Sequence, residues 1–358
     1  MTINISDIIP IIIVFQSLIF AITLMTDNGP KKTSNRYLAS FLILLGTQFM
    51  VIVGETLGLK SNFLISNICI FGFSYGPLLY LYSKSLIYKS FRFQAIQLLH
   101  FIPTVFIPVL SAFGYSVCGS FGFILYLSLL SYIILAIKEM VSYRKVIIET
   151  QSSLDRTNLV WLQWTMIIFC IALLLDIVDQ FLLSMDFFGG ISSIHFTIAL
   201  LVNWMFYKGL KQPQIFLGIT KMDSEVLLDI KNIPLRKVPD KDEQLELDHI
   251  QKFMKKNSFY TNPELNLKDL SKHLEISPRR LSYLINTFLN QNFMGFINDY
   301  RIEKAKFQLS NPKEQGETVL EVMYEVGFNS KSSFFTIFKQ KTGVTPSEFK
   351  KRHTSQGV

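Results

Sequence analysis

Charge is scarce in this chain. Only 17% of its 358 residues are Asp, Glu, Lys or Arg, whereas a soluble protein carries nearer a quarter. The shortage is concentrated before about residue 210, which excludes an ordinary soluble globule for that part. Cysteine is scarce too. Cys69, Cys118 and Cys170 are odd in number and far apart, so they suggest neither a disulfide framework nor a zinc site, and they read as small apolar residues of a bundle. No basic residue precedes the first apolar run and no small-x-small cleavage site follows it, so it does not read as a signal peptide. There is no HExxH, no Walker A loop, no kinase-type phosphate machinery and no lysine inside the last apolar run. Neither an enzyme nor a cofactor is expected.

What is abundant is apolar length. Hydrophobic residues make up 49% of the chain, with 32 phenylalanines. Runs of 17 to 25 apolar residues recur at Ile8–Met25, Tyr37–Gly54, Phe63–Ser83, Ala95–Phe113, Phe121–Val141, Leu159–Leu183 and Ile191–Tyr207. A helix of that length crosses roughly 30 Å of hydrocarbon. The expectation is an all-α fold whose residues 1–210 form a seven-helix transmembrane bundle. Gly72, Gly76 and Pro77 interrupt the third run and leave six or eight spans as alternatives.

Basic residues set the orientation. Lys31, Lys32, Arg36, Lys84, Lys89, Arg92, Lys138, Arg144, Lys145 and Arg156 lie in alternate loops, against Lys60 alone in the others. By the positive-inside rule the N-terminus lies outside and the C-terminal part in the cytoplasm. Trp161, Trp164 and Trp204 fall at the cytoplasmic ends of their runs, as an interfacial belt would.

Ionisable residues within the spans are the chemical hints of this half. Asp176 and Asp179 share one helix face, and His195 lies at a similar depth. Buried charge at mid-membrane is costly, so such groups face a cavity or a partner. They read as a pocket for an unknown polar or cationic signal ligand, or alternatively as a buried hydrogen-bond network. His100 reads as a structural contact.

Residues 211–242 contain Pro213, Pro234 and Pro239 and read as a linker with one short helix around Asp223–Ile230. From Glu243 the hydrophobic period becomes that of soluble amphipathic helices. Leu247, Ile250 and Met254 mark a first helix. Leu267 to Leu274 form a short one, Glu275 to Ser277 turn the chain, and Ser277 caps a helix over about 278–289 whose first residue is Pro278. Helix, tight turn and helix make a helix-turn-helix. A second copy follows: Thr318 caps Val319–Val326, Gly327 ends that helix, and Lys331–Lys341 runs to Gly343. A connecting helix, about Phe293–Leu309, joins the two units. Such a tandem can set two recognition helices in successive major grooves of double-stranded DNA.

The segment Glu321 to Pro346 resembles the signature of the AraC/XylS family of bacterial transcription regulators. Gly327-Phe328, Ser332, Phe338-Lys339, Thr342-Gly343 and Thr345-Pro346 match in order and spacing, and Arg301 and Ala305 match the connecting helix. Met323 departs, standing where the family usually has alanine. The N-terminal half is similar to multi-span domains fused to such regulators, through Gly76 to Tyr80 and Leu99 to Pro103. The resemblance implies a DNA-binding domain over residues 243–353. Base-facing residues would be Arg279, Ser282, Tyr283 and Asn286 in the first recognition helix, and Lys331, Ser332, Ser333 and Thr336 in the second. Arg280 and Lys339 would hold phosphates. For any one of these the alternative is a solvated helix face.

Between Lys241 and Arg352, 18 Lys and Arg stand against 14 Asp and Glu, so affinity must lean on groove fit as well as on charge. The expected protein is a one-component sensor in the bacterial inner membrane, with the lipid bilayer and DNA as partners and a homodimer as a further option.

Overall fold

The computed structural model describes residues 5–27, 29, 32–59, 68–113, 122–153, 159–178, 193–211, 219, 223, 238–311 and 317–354. Among the described residues there are helices and no strand, and Gln151 and Asn266 form an isolated antiparallel bridge. The chain divides into two compact units: one comprises Met1–Ser142 and Leu159–Gly218, the other Tyr143–Asn158 and Ile219–Val358.

A helix forms along each long apolar run: α1 Ile5–Thr26, α2 Lys32–Thr56, α3 Cys69–Ile87, α4 Ile102–Ala112 after a 3-10 turn Ala95–Phe101, α5 Gly122–Thr150, α6 Val160–Val178 and α7 Ser193–Lys211; all lie in the first unit except the end of α5, which from Tyr143 on belongs to the second. Among the described residues, five helical stretches are long and apolar enough to cross a membrane: Ile8–Thr26, Lys32–Thr56, Ala95–Ala112, Phe123–Thr150 and Val160–Val178. Large side chains such as Phe15, Ile19 and Ile22 point outward from α1, which in water would be an unusual apolar face.

The third run is not broken at Gly72, Gly76 and Pro77, for α3 runs through all three. The glycines serve contact instead. A Cβ at Gly72 would lie 2.5 Å from Leu125, and one at Gly76 2.7 Å from Tyr132. Small residues at such points let helices of a bundle approach closely. Elsewhere Phe20 stacks on Phe206 at 3.7 Å between centroids, and Asn203 donates to Gln16 at 2.9 Å.

Several polar or ionisable residues of this half have named contacts. Tyr126 donates its hydroxyl to Asp176 at 2.7 Å. His195 sets its ring against the edge of Phe49 at 5.1 Å. His100 bonds the Tyr132 hydroxyl at 2.9 Å, a structural contact as expected. Asp179 lies outside the described residues, as does most of the 211–242 linker with its expected short helix. A cavity of about 50 Å³ in this unit is lined by Phe41, Leu45, Leu79, Met166, Phe169 and Met205 among others, and by neither Asp176 nor His195.

The second unit is built on α8 Lys241–Lys256, α9 Leu267–His273, α10 Pro278–Phe288, α11 Phe293–Ser310, α12 Val319–Glu325, α13 Lys331–Thr342 and α14 Pro346–Thr354. Short polar residues cap one helix after another, supplying acceptors for backbone N–H groups that have no partner within the helix. Asp240 and Glu243 form a reciprocal capping box on α8, with both bonds at 2.9 Å. Asn266, Ser277, Asn292, Thr318 and Ser330 cap α9 to α13.

Two apolar cores result. The first gathers Leu247, Ile250, Met254, Leu270, Leu281, Leu284 and Ile285 onto Phe293, Phe296 and Ile297 of α11. The second gathers Val322, Met323, Val326, Phe328, Phe334 and Phe338 onto Ile302, Ala305 and Leu309 of the same helix. α11 therefore belongs to both cores, and its 18 residues give about 27 Å of rigid spacing at 1.5 Å per residue. Met323, the residue that departs from the family pattern, is fully buried and fills the second core.

Candidate nucleic-acid interface

Each helix-turn-helix needs a tight reversal between its two helices, and both achieve it with a left-handed residue. In the second unit this is Gly327, at φ +96°, where a Cβ would meet the Thr261 carbonyl oxygen at 2.6 Å. In the first it is Glu275, at φ +58°, a conformation that costs a side-chain-bearing residue roughly 1–2 kcal/mol. The reversal delivers α10 and α13 as the second helix of each unit.

On α13 the buried side is Phe334 and Phe338, and the opposite side carries Ser332, Thr336 and Lys339, all exposed; Lys331, the first residue of the helix, is exposed as well. Ser330 accepts the Ser333 N–H at 3.3 Å and pairs with the Ser332 hydroxyl at 2.8 Å. Ser333 itself is half-buried. Lys331 holds its ammonium 5.4 Å from the Phe335 ring centre. Lys341, on the same helix, pairs with Asp299. The outer face of α13 is therefore polar, cationic and accessible.

The face of α10 differs. Arg279 is exposed. Arg280 donates through Nε to Glu246 at 2.8 Å, lies 3.6 Å from Glu243 through Nη1, and covers the Tyr283 ring. Tyr283 donates its hydroxyl to Glu243 at 3.1 Å. Asn286 donates its amide to Glu149 at 2.8 Å and to the Ser282 carbonyl at 3.0 Å. Ser282 is fully buried, so in this arrangement its hydroxyl is presented to no outside partner. Glutamates thus occupy three of the residues that the family resemblance points to. Glu243 and Glu246 come from α8, and Glu149 from the last turn of α5.

Arg301, on α11, is the largest fully buried side chain described. It donates to the carbonyls of Tyr260 (2.7 Å), Asn262 (2.8 Å) and Ser152 (2.9 Å), and to the Ser152 hydroxyl (3.0 Å). It works from inside the domain and does not face a groove. The Ser152 N–H also donates to the Leu265 carbonyl at 3.1 Å.

The involvement of Glu149 and Ser152 is absent from the linear reading, which ended the fifth apolar run at Val141. Tyr143, Val146 and Ile147, all buried, continue at helical spacing beyond it. That was the available signal.

Residues 270–352 match the helix-turn-helix domain family. The C-terminal domain is an AraC-type helix-turn-helix domain. The chain is 33% identical over 91 residues to the HTH-type transcriptional regulator YdeC of Bacillus subtilis (strain 168), covering 25% of this chain and 30% of the relative. It is 39% identical over 77 residues to an HTH-type transcriptional regulator in the cgkA 5′ region of Pseudoalteromonas carrageenovora, covering 21% of this chain and 43% of the relative. Over 85 residues it is 34% identical to the arabinose operon regulatory protein of Escherichia coli (strain K12), covering 24% of this chain and 28% of that protein. The chain thus spans less than half the length of each of these relatives, and each likeness covers about a quarter of this chain.

Proposed function

We propose that this chain is a membrane-anchored transcription regulator that binds double-stranded DNA sequence-specifically and couples a signal at the membrane to gene expression. Residues 1–210 are the seven-span membrane domain, 211–242 the linker and 243–353 the DNA reader. Residues Tyr143–Asn158 accompany the reader. The N-terminus lies outside the bacterial inner membrane and the reader in the cytoplasm.

The observation that carries this reading is α13. A recognition helix locked by buried Phe334 and Phe338 offers Lys331, Ser332, Thr336 and Lys339 outward. Hydroxyls suit base edges, and lysines suit guanine edges or phosphates. The AraC-type domain, the transcriptional regulators among its relatives and the apolar helices of the N-terminal half support the remainder. Asp176, Asp179 and His195 are the proposed signal-responsive group.

The test is a gel-shift titration of the full chain in phospholipid nanodiscs against fragments of its own genome and random duplexes. Binding to particular fragments at least about a thousandfold tighter than to random DNA is expected. Uniform affinity across all fragments would refute it.

A further inference from the structure

The row Arg280, Tyr283 and Asn286 advances three residues at a time along α10, and every member bonds a glutamate. Glu243 and Glu246 are fixtures of the domain, held on capped α8. Glu149 is different. It lies on the last turn of α5, the helix that begins at Gly122 in the apolar half, and it reaches Asn286 across 137 positions of sequence.

The contact is part of a docking arrangement. Just beyond Glu149, Gln151 pairs with Asn266 as an antiparallel bridge. Ser152 gives its N–H to Leu265 and takes two bonds from Arg301. The segment that touches the recognition helix is thereby anchored on the N-cap of α9 and on the connecting helix α11.

A carboxylate on Asn286 accepts the same amide hydrogens that a base acceptor or a phosphate oxygen would accept. It also sets a negative charge where a polyanion must come, and like charges in close contact repel. An open polar cleft of about 350 Å³, lined by Glu149, Asn286, Asn290, Gln291 and Lys341 among others, flanks the contact. The bond is therefore solvent-accessible and able to exchange.

Resting on the DNA-binding reading above, we infer that the segment 149–152, the end of α5 and the two residues after it, is an intramolecular competitor of DNA for the first recognition helix. While docked, it leaves α13 open and α10 occupied. Release of Glu149 frees Asn286, and the first helix-turn-helix then engages DNA. Because the competitor is the end of an apolar helix, displacement of α5 is the event that links the membrane half to the reader.

The test uses the full chain in phospholipid nanodiscs with a duplex selected by that same chain from a genomic library. Glu149→Ala removes a charge-assisted hydrogen bond and is expected to tighten DNA binding about tenfold, since a partly populated competent state lowers apparent affinity by its own fraction. Glu149→Gln should tighten it less. In parallel, amide exchange over residues 147–153 should be slow without DNA and speed up when DNA saturates the protein. Equal affinity of wild type and both variants, or exchange indifferent to DNA, would overturn the competitor while leaving the regulator reading intact. Failure of wild type and variants alike to retain any genomic duplex would overturn both.

Discussion

Arg301 and Ser152 lie 149 positions apart, yet the buried guanidinium donates to both the carbonyl and the hydroxyl of Ser152. Removal of the hydroxyl leaves one buried donor short of its acceptor. Ser152→Ala should therefore cost about 1–3 kcal/mol in denaturant melts of the full chain. In a background of Arg301→Lys, which has already lost the planar fork, the same substitution should cost much less. Equal costs in both backgrounds would show the two residues to be uncoupled.

The two positive-φ glycines of the second unit make a controlled pair. Gly343 stands at φ +80° with open space around it, whereas Gly327 stands at φ +96° against the Thr261 carbonyl. Gly343→Ala should cost about 1–2 kcal/mol from backbone strain alone. Gly327→Ala adds overpacking, which typically costs a further 1–3 kcal/mol. Thermal melts that rank the two in the opposite order would contradict this account of the turn.

Stability of the second unit should fall in acid. Backbone hydrogen bonds from Thr318 and from Thr345, joined by bonds from the same side chains, hold the carboxyls of Glu321 and Glu348 below their usual range. A carboxylate with a depressed folded pKa contributes its stability above the unfolded value, about 4.3. That contribution is lost as pH falls through the folded pKa. Circular dichroism between pH 7 and pH 3 should show a smaller acid loss in Glu321→Gln than in the wild type, because the amide does not titrate.

On α13, Thr336 and Lys339 should separate the two modes of DNA contact. Thr336→Ala is expected to cost about 1–3 kcal/mol on preferred DNA and to relax discrimination at one position. Lys339→Ala should weaken all duplexes alike and lower the salt dependence by about one phosphate. Titrations at two salt concentrations distinguish the outcomes. Identical profiles for the two variants would remove the assigned roles.

Much of the second unit was legible in the linear chain because its signals are local. Thr318, Gly327, Ser330 and Gly343 each act within four residues of where they stand, as caps or as left-handed stops, so spacing alone reveals them. The α10 unit was legible as helix, turn and helix, but not in its details. Nothing local marks Glu275 as left-handed, since only the requirement to bring α9 and α10 together imposes that φ. Nor does the sequence reveal that Ser282 turns inward: it sits beside Leu281 in the pattern, and burial is decided by what packs over it. Gly72 and Gly76 were misleading for a related reason. In isolation they look like a break in a span, while against Leu125 and Tyr132 they are the contact.

The distribution of apolar and charged residues by itself determined the two-part character of this protein, because hydropathy and helical period are properties of consecutive residues. The same local chemistry marked the tandem helix-turn-helix of the AraC-type domain. Only the tertiary structure decided that the end of α5 belongs with that domain. Glu149 meets Asn286, and Ser152 meets Arg301, through pairings more than a hundred residues apart, and such pairings leave no periodic trace in the chain.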